Sequence, residues 1–144
     1  MSAAAPPASR PLQISQLDHV SIIITDTERS RHFYRDLLGL KEIAKPRTFD
    51  FIALWFDLGN MHVHLLLKEQ ADSISARHFA LRVADAQAAR ACLQARGLKI
   101  NETTVIPGSD RFFIHDPDGN RIEIIQWLMT YDPAQSGMGR LDGE

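Results

Sequence analysis

Apolar and polar residues alternate with a period of two in several short stretches of the chain, and two of these stretches are near copies of each other. The first is Asp18-His19-Val20-Ser21-Ile22-Ile23-Ile24-Thr25-Asp26, and the second is Arg77-His78-Phe79-Ala80-Leu81-Arg82-Val83-Ala84-Asp85. Both run from a histidine through alternating apolar residues to an aspartate seven positions on. Each reads as a half-buried strand ending at a helix N-cap, Asp26 or Thr25 in the first copy and Asp85 in the second. Thr25 with Glu28 also fits a capping box. Helices are predicted over about 27–38 and 86–96, closed by Gly39 and Gly97. Phe33, Leu37 and Leu40 stripe the first helix, and Ala86, Ala89 and Leu93 the second.

Further strands are predicted over 47–58 and 61–67 in the first copy, and over 103–105, 111–115 and 120–127 in the second. Turn residues separate them at 58–60 and 116–120, where Asp, Gly and Asn tolerate the backbone a hairpin needs. Each copy is therefore a strand, a helix and then about three strands. A βαβββ unit of this size cannot bury a core alone, which predicts an α+β fold. Two tandem modules, about 15–70 and 75–130, should form a curved mixed sheet around a concave face, with the helices outside. Residues 12–131 then make a single domain. Residues 1–11, rich in alanine and proline, are expected to be a disordered leader, and 132–144 a flexible tail.

Composition narrows the classes of function. With 144 residues, 44% hydrophobic side chains and a formal net charge of −2, the chain has no basic run to neutralise a phosphate backbone. No nucleic-acid partner and no polybasic membrane contact are expected. The longest apolar runs, 20–24 and 63–67, fall far short of the ~20 residues that cross a bilayer. One cysteine, Cys92, allows no disulfide within the chain, and residues 1–10 lack the apolar core of a secretory signal, so a cytoplasmic location is expected. Cys92 itself is expected as a buried small hydrophobe on its helix.

The duplication also sets a register for the six histidines. His19 and His78 stand 59 positions apart, and His64 shifted by the same 59 falls on Glu123. Strand parity sends Val20, Ile22 and Ile24 toward the helix and leaves His19 and Ser21 on the concave side. The same parity leaves His78, Arg82, His64, Glu123 and Trp127 there, so four candidate ligands are expected to converge. Three imidazoles and a carboxylate suit one divalent ion, Ni, Zn, Fe, Mn or Co. His62 shares the face of His64 one strand step of ~6.6 Å away and stands as the alternate. His32 and His115 are expected in solvent. Arg82 could clamp a carboxylate or phosphate, or form an ion pair on the sheet. Trp127 and Phe113 could wall a pocket. The turn at 116–120 lacks the remaining ligands of a calcium loop.

These residues carry a family resemblance. The paired modules, Asp18-His19-Val20, Phe33 to Leu40 (FYRDLLGL), Arg77 to Val83 (RHFALRV) and Asp116 to Ile124 (DPDGNRIEI) resemble the vicinal-oxygen-chelate superfamily. Glyoxalase I, fosfomycin-modifying transferases and extradiol dioxygenases belong to it. The resemblance implies metal ligands at His19, His64, His78 and Glu123, and a homodimer. It departs at His64, where glyoxalase I carries Glu or Gln, and an imidazole cannot act there as a carboxylate base. What it implies is a metal-dependent enzyme acting on a small substrate through adjacent oxygens, foremost a glyoxalase I-like lyase, with Glu123 as ligand and catalytic base; Arg82, Ser21 and Trp127, on the concave face by parity, are the expected substrate contacts. The alternatives are a fosfomycin-type thiol transferase, an extradiol dioxygenase, or a metal-free binding protein.

Overall fold

The computed structural model describes residues 7–134. Residues 7–11 of the expected leader lie in view as a 3-10 turn, Pro7–Ser9, and the start of an exposed stretch before the first strand. Residues 1–6 of that leader and 135–144 of the expected tail lie outside the described residues.

The first module consists of β1 (His19–Ile24), α1 (Thr27–Arg31) running on into a π-helical turn (His32–Leu37), β2 (Lys41–Ile43), β3 (Ala53–Asp57) and β4 (His62–Leu67). The second repeats the plan with β5 (His78–Arg82), α2 (Ala86–Ala95), β6 (Asn101–Glu102), β7 (Ser109–His115) and β8 (Arg121–Trp127). The α+β architecture of two βαβββ modules stands as the alternation implies. Each module closes its own four-stranded sheet, ordered β1-β4-β3-β2 and β5-β8-β7-β6. The first and last strands of each pair in parallel and the others are antiparallel. β1 and β5 are therefore edges of separate ladders.

Several local expectations are corrected. Asp26 alone caps α1, accepting the Arg29 N–H at 2.8 Å, and no capping box forms, because the Thr25 hydroxyl donates to Asp118 instead at 2.5 Å. Asp85 caps α2 by accepting the Ala88 N–H at 3.0 Å. The first helix widens after Arg31, with the Leu38 N–H reaching back to the Phe33 carbonyl at 2.9 Å, and both Phe33 and Tyr34 are buried in this turn. Strand pairing in the 47–58 stretch begins only at Ala53, β2 lies outside every predicted strand, and β6 sits two residues before the predicted 103–105. Cys92 is exposed, since its neighbour Leu93 holds the buried stripe of α2.

Gly97 ends α2 with φ +85°, the left-handed conformation that glycine adopts without a Cβ penalty. The Leu98 N–H then donates to the Leu93 carbonyl and the Gly97 N–H to the Gln94 carbonyl, both at 3.0 Å.

A single hydrophobic core serves both modules, with Ile24, Phe33, Leu54, Phe56 and Leu65 from the first meeting Leu93, Phe112, Ile114 and Ile122 from the second. Polar contacts fix the junction. The Asn120 side chain donates to the Ile23 carbonyl at 2.8 Å, and the Thr25 N–H donates to Asp118 at 3.1 Å. Asp116 orders this turn by accepting the N–H groups of Asp118 and Asn120. No helix among the described residues is long and apolar enough to cross a membrane.

Candidate functional site

Strand pairing reproduces the 59-residue register at the level of individual rungs. His64 stands opposite Ser21, and Glu123 stands opposite Ala80, which is the same place in the equivalent ladder. Residues on one rung share a face, so His19, Ser21 and His64 lie on the open face of the first sheet. His78, Ala80, Arg82 and Glu123 lie on that of the second. Val20, Ile22, Val63 and Leu65 point the other way into the core, as do Phe79, Leu81, Ile122 and Ile124.

On the first sheet His64 is only 6% exposed. Its ring lies almost parallel to Trp55, with centroids 3.8 Å apart, and stacks on its other side against His19 at 4.3 Å. Burial pushes its pKa down to about 4, helped by the positive charges of His19 and His62. A neutral imidazole at pH 7 follows, the protonation state that a metal ligand needs. His62 Nδ1 lies 3.3 Å from His64 Nε2, beside His64 on the same face.

His19 points its Nδ1 at the Asp18 carboxylate 2.7 Å away, and the hydrogen bond holds the Asp18 pKa below its usual value. His78 directs its Nδ1 to the Ala76 carbonyl at 2.9 Å. A carboxylate and a carbonyl can only accept, so Nδ1 carries the proton in both rings and the neutral form leaves Nε2 with its lone pair. Anchoring one ring nitrogen this way is how a ligating histidine is oriented.

On the second sheet Glu123 is buried, and its Oε1 accepts from Arg111 Nη1 at 2.5 Å. Arg111 is held in turn by the Thr104 carbonyl, which accepts from its Nε at 3.0 Å and its Nη2 at 2.8 Å. Nothing in the register pointed to Arg111, whose counterpart 59 positions earlier is Ile52. Its only signal was parity, since it pairs with Ile125 on the face that carries Glu123. Phe113 is buried rather than open to a pocket, flanked by the His78 ring edge-on at 4.9 Å and by the Arg121 guanidinium 3.5 Å from its centroid.

Ser21 and His78 line a cleft of about 580 Å³ between β1 and β5. Arg82 is exposed and makes no ion pair or hydrogen bond among the described residues, so it does not form the ion pair that was one of its two expected roles. Trp127 stands at the far end of the second sheet, edge-on to Tyr131 at 5.8 Å, beside Val105, Ile106 and Pro107. Exposed His115 and His32 agree with expectation, the latter 3.4 Å from Asp36.

The convergence expected of the four ligand candidates does not occur within one chain. Among the described residues no three His, Cys, Asp or Glu side chains gather closely enough to hold an ion. The reason lies in the ladders: each module pairs its strands with itself, so the donors come in twos, His19 with His64 on one sheet and His78 with Glu123 on the other. As chemistry the set fits a divalent ion, with two oriented imidazoles, one neutral buried imidazole and a carboxylate.

Residues 16–124 match the model of the Glyoxalase/Bleomycin resistance protein/Dioxygenase superfamily. Glyoxylase I 4 of Arabidopsis thaliana is 27% identical over 128 residues, covering 81% of this chain and 74% of that protein. A trivalent organoarsenical cleaving enzyme of Bacillus sp. strain MD1 is 29% identical over 123 residues, covering 79% and 74%. Among solved structures, a Bacillus anthracis protein assigned to the glyoxalase family superposes with a TM-score of 0.76 at 27% identity, covering 82% of this chain and 99% of that one.

Proposed function

We propose, for a chain that belongs to the Glyoxalase/Bleomycin resistance protein/Dioxygenase superfamily, that it is a divalent-metal enzyme acting on a small molecule held through two adjacent oxygens. The reaction favoured is a glyoxalase I-like isomerisation of a thiol-aldehyde adduct. Two copies form the site, His19 and His64 coming from one and His78 and Glu123 from the other. The observation that carries this reading is the shared rung: His64 and Glu123 occupy equivalent places in two equivalent ladders, yet the described residues of one chain do not gather three donors.

A divalent ion held by His19, His64, His78 and Glu123 would supply Lewis-acid polarisation of the substrate's carbonyl and hydroxyl oxygens, which acidifies the C–H of the hydroxyl-bearing carbon next to the carbonyl. Glu123 takes the proton from that carbon and returns it to the neighbouring carbonyl carbon, the general-base work of a carboxylate. Arg111 holds Oε1 of Glu123 still, leaving Oε2 for this work. Arg82, an exposed guanidinium without a side-chain partner among the described residues, is suited to a substrate carboxylate. Ser21 in the cleft and Trp127 at the far end of the face bound the remaining substrate contacts.

Mixed dimers test the shared site. The variants His19→Ala and Glu123→Ala are each expected to lose turnover of hemithioacetals in the presence of nickel, zinc or cobalt. Random mixing of the two places one intact site in half of the dimers, so about one quarter of wild-type activity is expected to return. Absence of any recovery sinks the shared site. Absence of turnover in the wild-type protein with all three metals sinks the isomerase reading.

A further inference from the structure

The four-residue donor set leaves one imidazole on the open face of the first sheet unused. His62 stands opposite His19 on the neighbouring strand and two residues before His64 on its own, so the three rings share that face. In the second sheet the equivalent rung pairs His78 with Arg121, so only the first module places a metal-ligating type of residue there. Both faces of the His64 ring are covered, by Trp55 at 3.8 Å and by His19 at 4.3 Å, which leaves its edges for a ligand. At one edge Nε2 lies 3.3 Å from His62 Nδ1. Two nitrogens each about 2.1 Å from one ion stand about 3.0–3.6 Å apart for bond angles of about 90–120°. On the far side of the half-buried His62 ring, Nε2 lies 3.9 Å from Asp57 Oδ1, and the Gly59 N–H donates to that oxygen at 2.7 Å. A fixed carboxylate on that side favours the tautomer with its proton on Nε2 and its lone pair on Nδ1, as in an oriented ligating histidine.

We infer that His62-Val63-His64 on β4 is a two-point chelate that grips the shared ion through His62 Nδ1 and His64 Nε2, so that His62 is a fifth protein donor. The inference rests on the proposed reading of the site as a metal centre and extends it. Side chains at i and i+2 of a strand leave one face at a fixed spacing, so no loop has to be ordered for both nitrogens to bind. Two consequences follow for this chain. Four of five donors are imidazole nitrogens, a set that favours nickel, cobalt or zinc over manganese. The first module also holds the ion by itself, and the partner's His78 and Glu123 complete the coordination afterwards. The other role open to His62 is that of a steering partner, which would hydrogen-bond His64 without touching the ion.

Competition for nickel(II) between the full chain and a chromophoric chelator tests the chelate without recourse to activity. His62→Ala and His62→Gln are each expected to weaken nickel binding by at least about a hundredfold, beyond the ~10–100-fold that follows loss of a group which only orients a ligand. Glutamine keeps an N–H for His64, so a loss below about a hundredfold in either variant makes His62 a steering partner and overturns the chelate. The ratio of nickel to manganese affinity should fall by at least about tenfold in both variants, and an unchanged ratio likewise overturns it. The double variant His78→Ala/Glu123→Ala separates this inference from the shared site. If the double variant binds nickel as tightly as the wild type while His62→Gln keeps its hundredfold loss, the chelate stands and the shared site falls. If only the double variant loses affinity, the shared site stands and the chelate falls.

Discussion

The phenol of Tyr34 donates to Oδ2 of Asp116 across 2.6 Å, tying the π-turn of the first module to the turn between the last two strands of the second, 82 positions along the chain. Both groups are buried. Burial raises the phenol pKa well above its ordinary value, and the negative charge of Asp116 adds to the effect. An unfolded tyrosine ionises near pH 10. The folded state keeps the proton to higher pH, so this contribution to stability is complete below about pH 10 and is lost as the pH rises beyond it. Tyr34→Phe is expected to cost about 1 kcal/mol at pH 7 through the lost hydrogen bond. The variant should also show a shallower fall in melting temperature between about pH 10 and 11 than the wild type, measured by circular dichroism.

Asp118 carries a second part of the junction. Its side chain is 3% exposed and accepts from the backbone N–H and the hydroxyl of Thr25 and from Arg29. Asp118→Ala leaves those donors without an acceptor and is expected to lower the stability by about 3 kcal/mol, since bonds to a charged group are the stronger kind. Urea unfolding at pH 7 measures it, and a loss below about 1 kcal/mol would mean that water replaces the carboxylate freely.

Arg111 and Glu123 form an ion pair whose side chains are 15% and 9% exposed. Removing one member leaves the other buried and uncompensated, so Arg111→Leu should cost about 3 kcal/mol. The double variant Arg111→Leu/Glu123→Leu should cost less than the two single losses added together, which a double-mutant cycle reads directly. Additive losses would show that the two groups are not coupled. If an ion binds beside Glu123, manganese(II) should raise the melting temperature of Arg111→Leu more than that of the wild type.

Gly97 gives a purely conformational case. A Cβ added there meets nothing within 4 Å, so Gly97→Ala has no clash to relieve and carries only the strain of a left-handed backbone. The expected loss is about 1 kcal/mol in denaturant unfolding, with no change in the slope of the transition.

Much of this architecture could be read from the chain because it is local. The alternation of β1 and β5, the caps Asp26 and Asp85 and the stop at Gly97 each depend on residues a few positions apart. The equivalence of the His64 and Glu123 positions followed from one offset, since a duplicated plan repeats its register, while their rung partners Ser21 and Ala80 are seen only in the ladders. What escaped depends on distant partners. Thr25 offers its hydroxyl to Asp118, 93 positions away, so its proximity to Glu28 misled. Arg111 is tied to Glu123 and to a loop carbonyl, contacts that no periodicity announces. The rings of Phe51, Phe49, Trp55 and His64, each against the next, join a loop to two strands, and the irregular stretch before β3 hid this row inside a predicted strand. Whether two sheets face each other or stand apart is likewise decided by ladder edges, which parity along one strand cannot reveal.

The core that runs from Ile24 and Phe33 into Phe112 and Ile114 belongs to neither repeat alone. Heat should therefore melt the chain in one cooperative step despite its two-part plan, because losing one repeat strips the apolar cover from the other. A half-length chain with the same pattern would need a twin to cover its apolar face, whereas here both repeats lie in one chain. The equivalent rungs of His64 and Glu123 therefore need not carry the same residue, which makes the duplicated plan asymmetric at the place where its chemistry is expected.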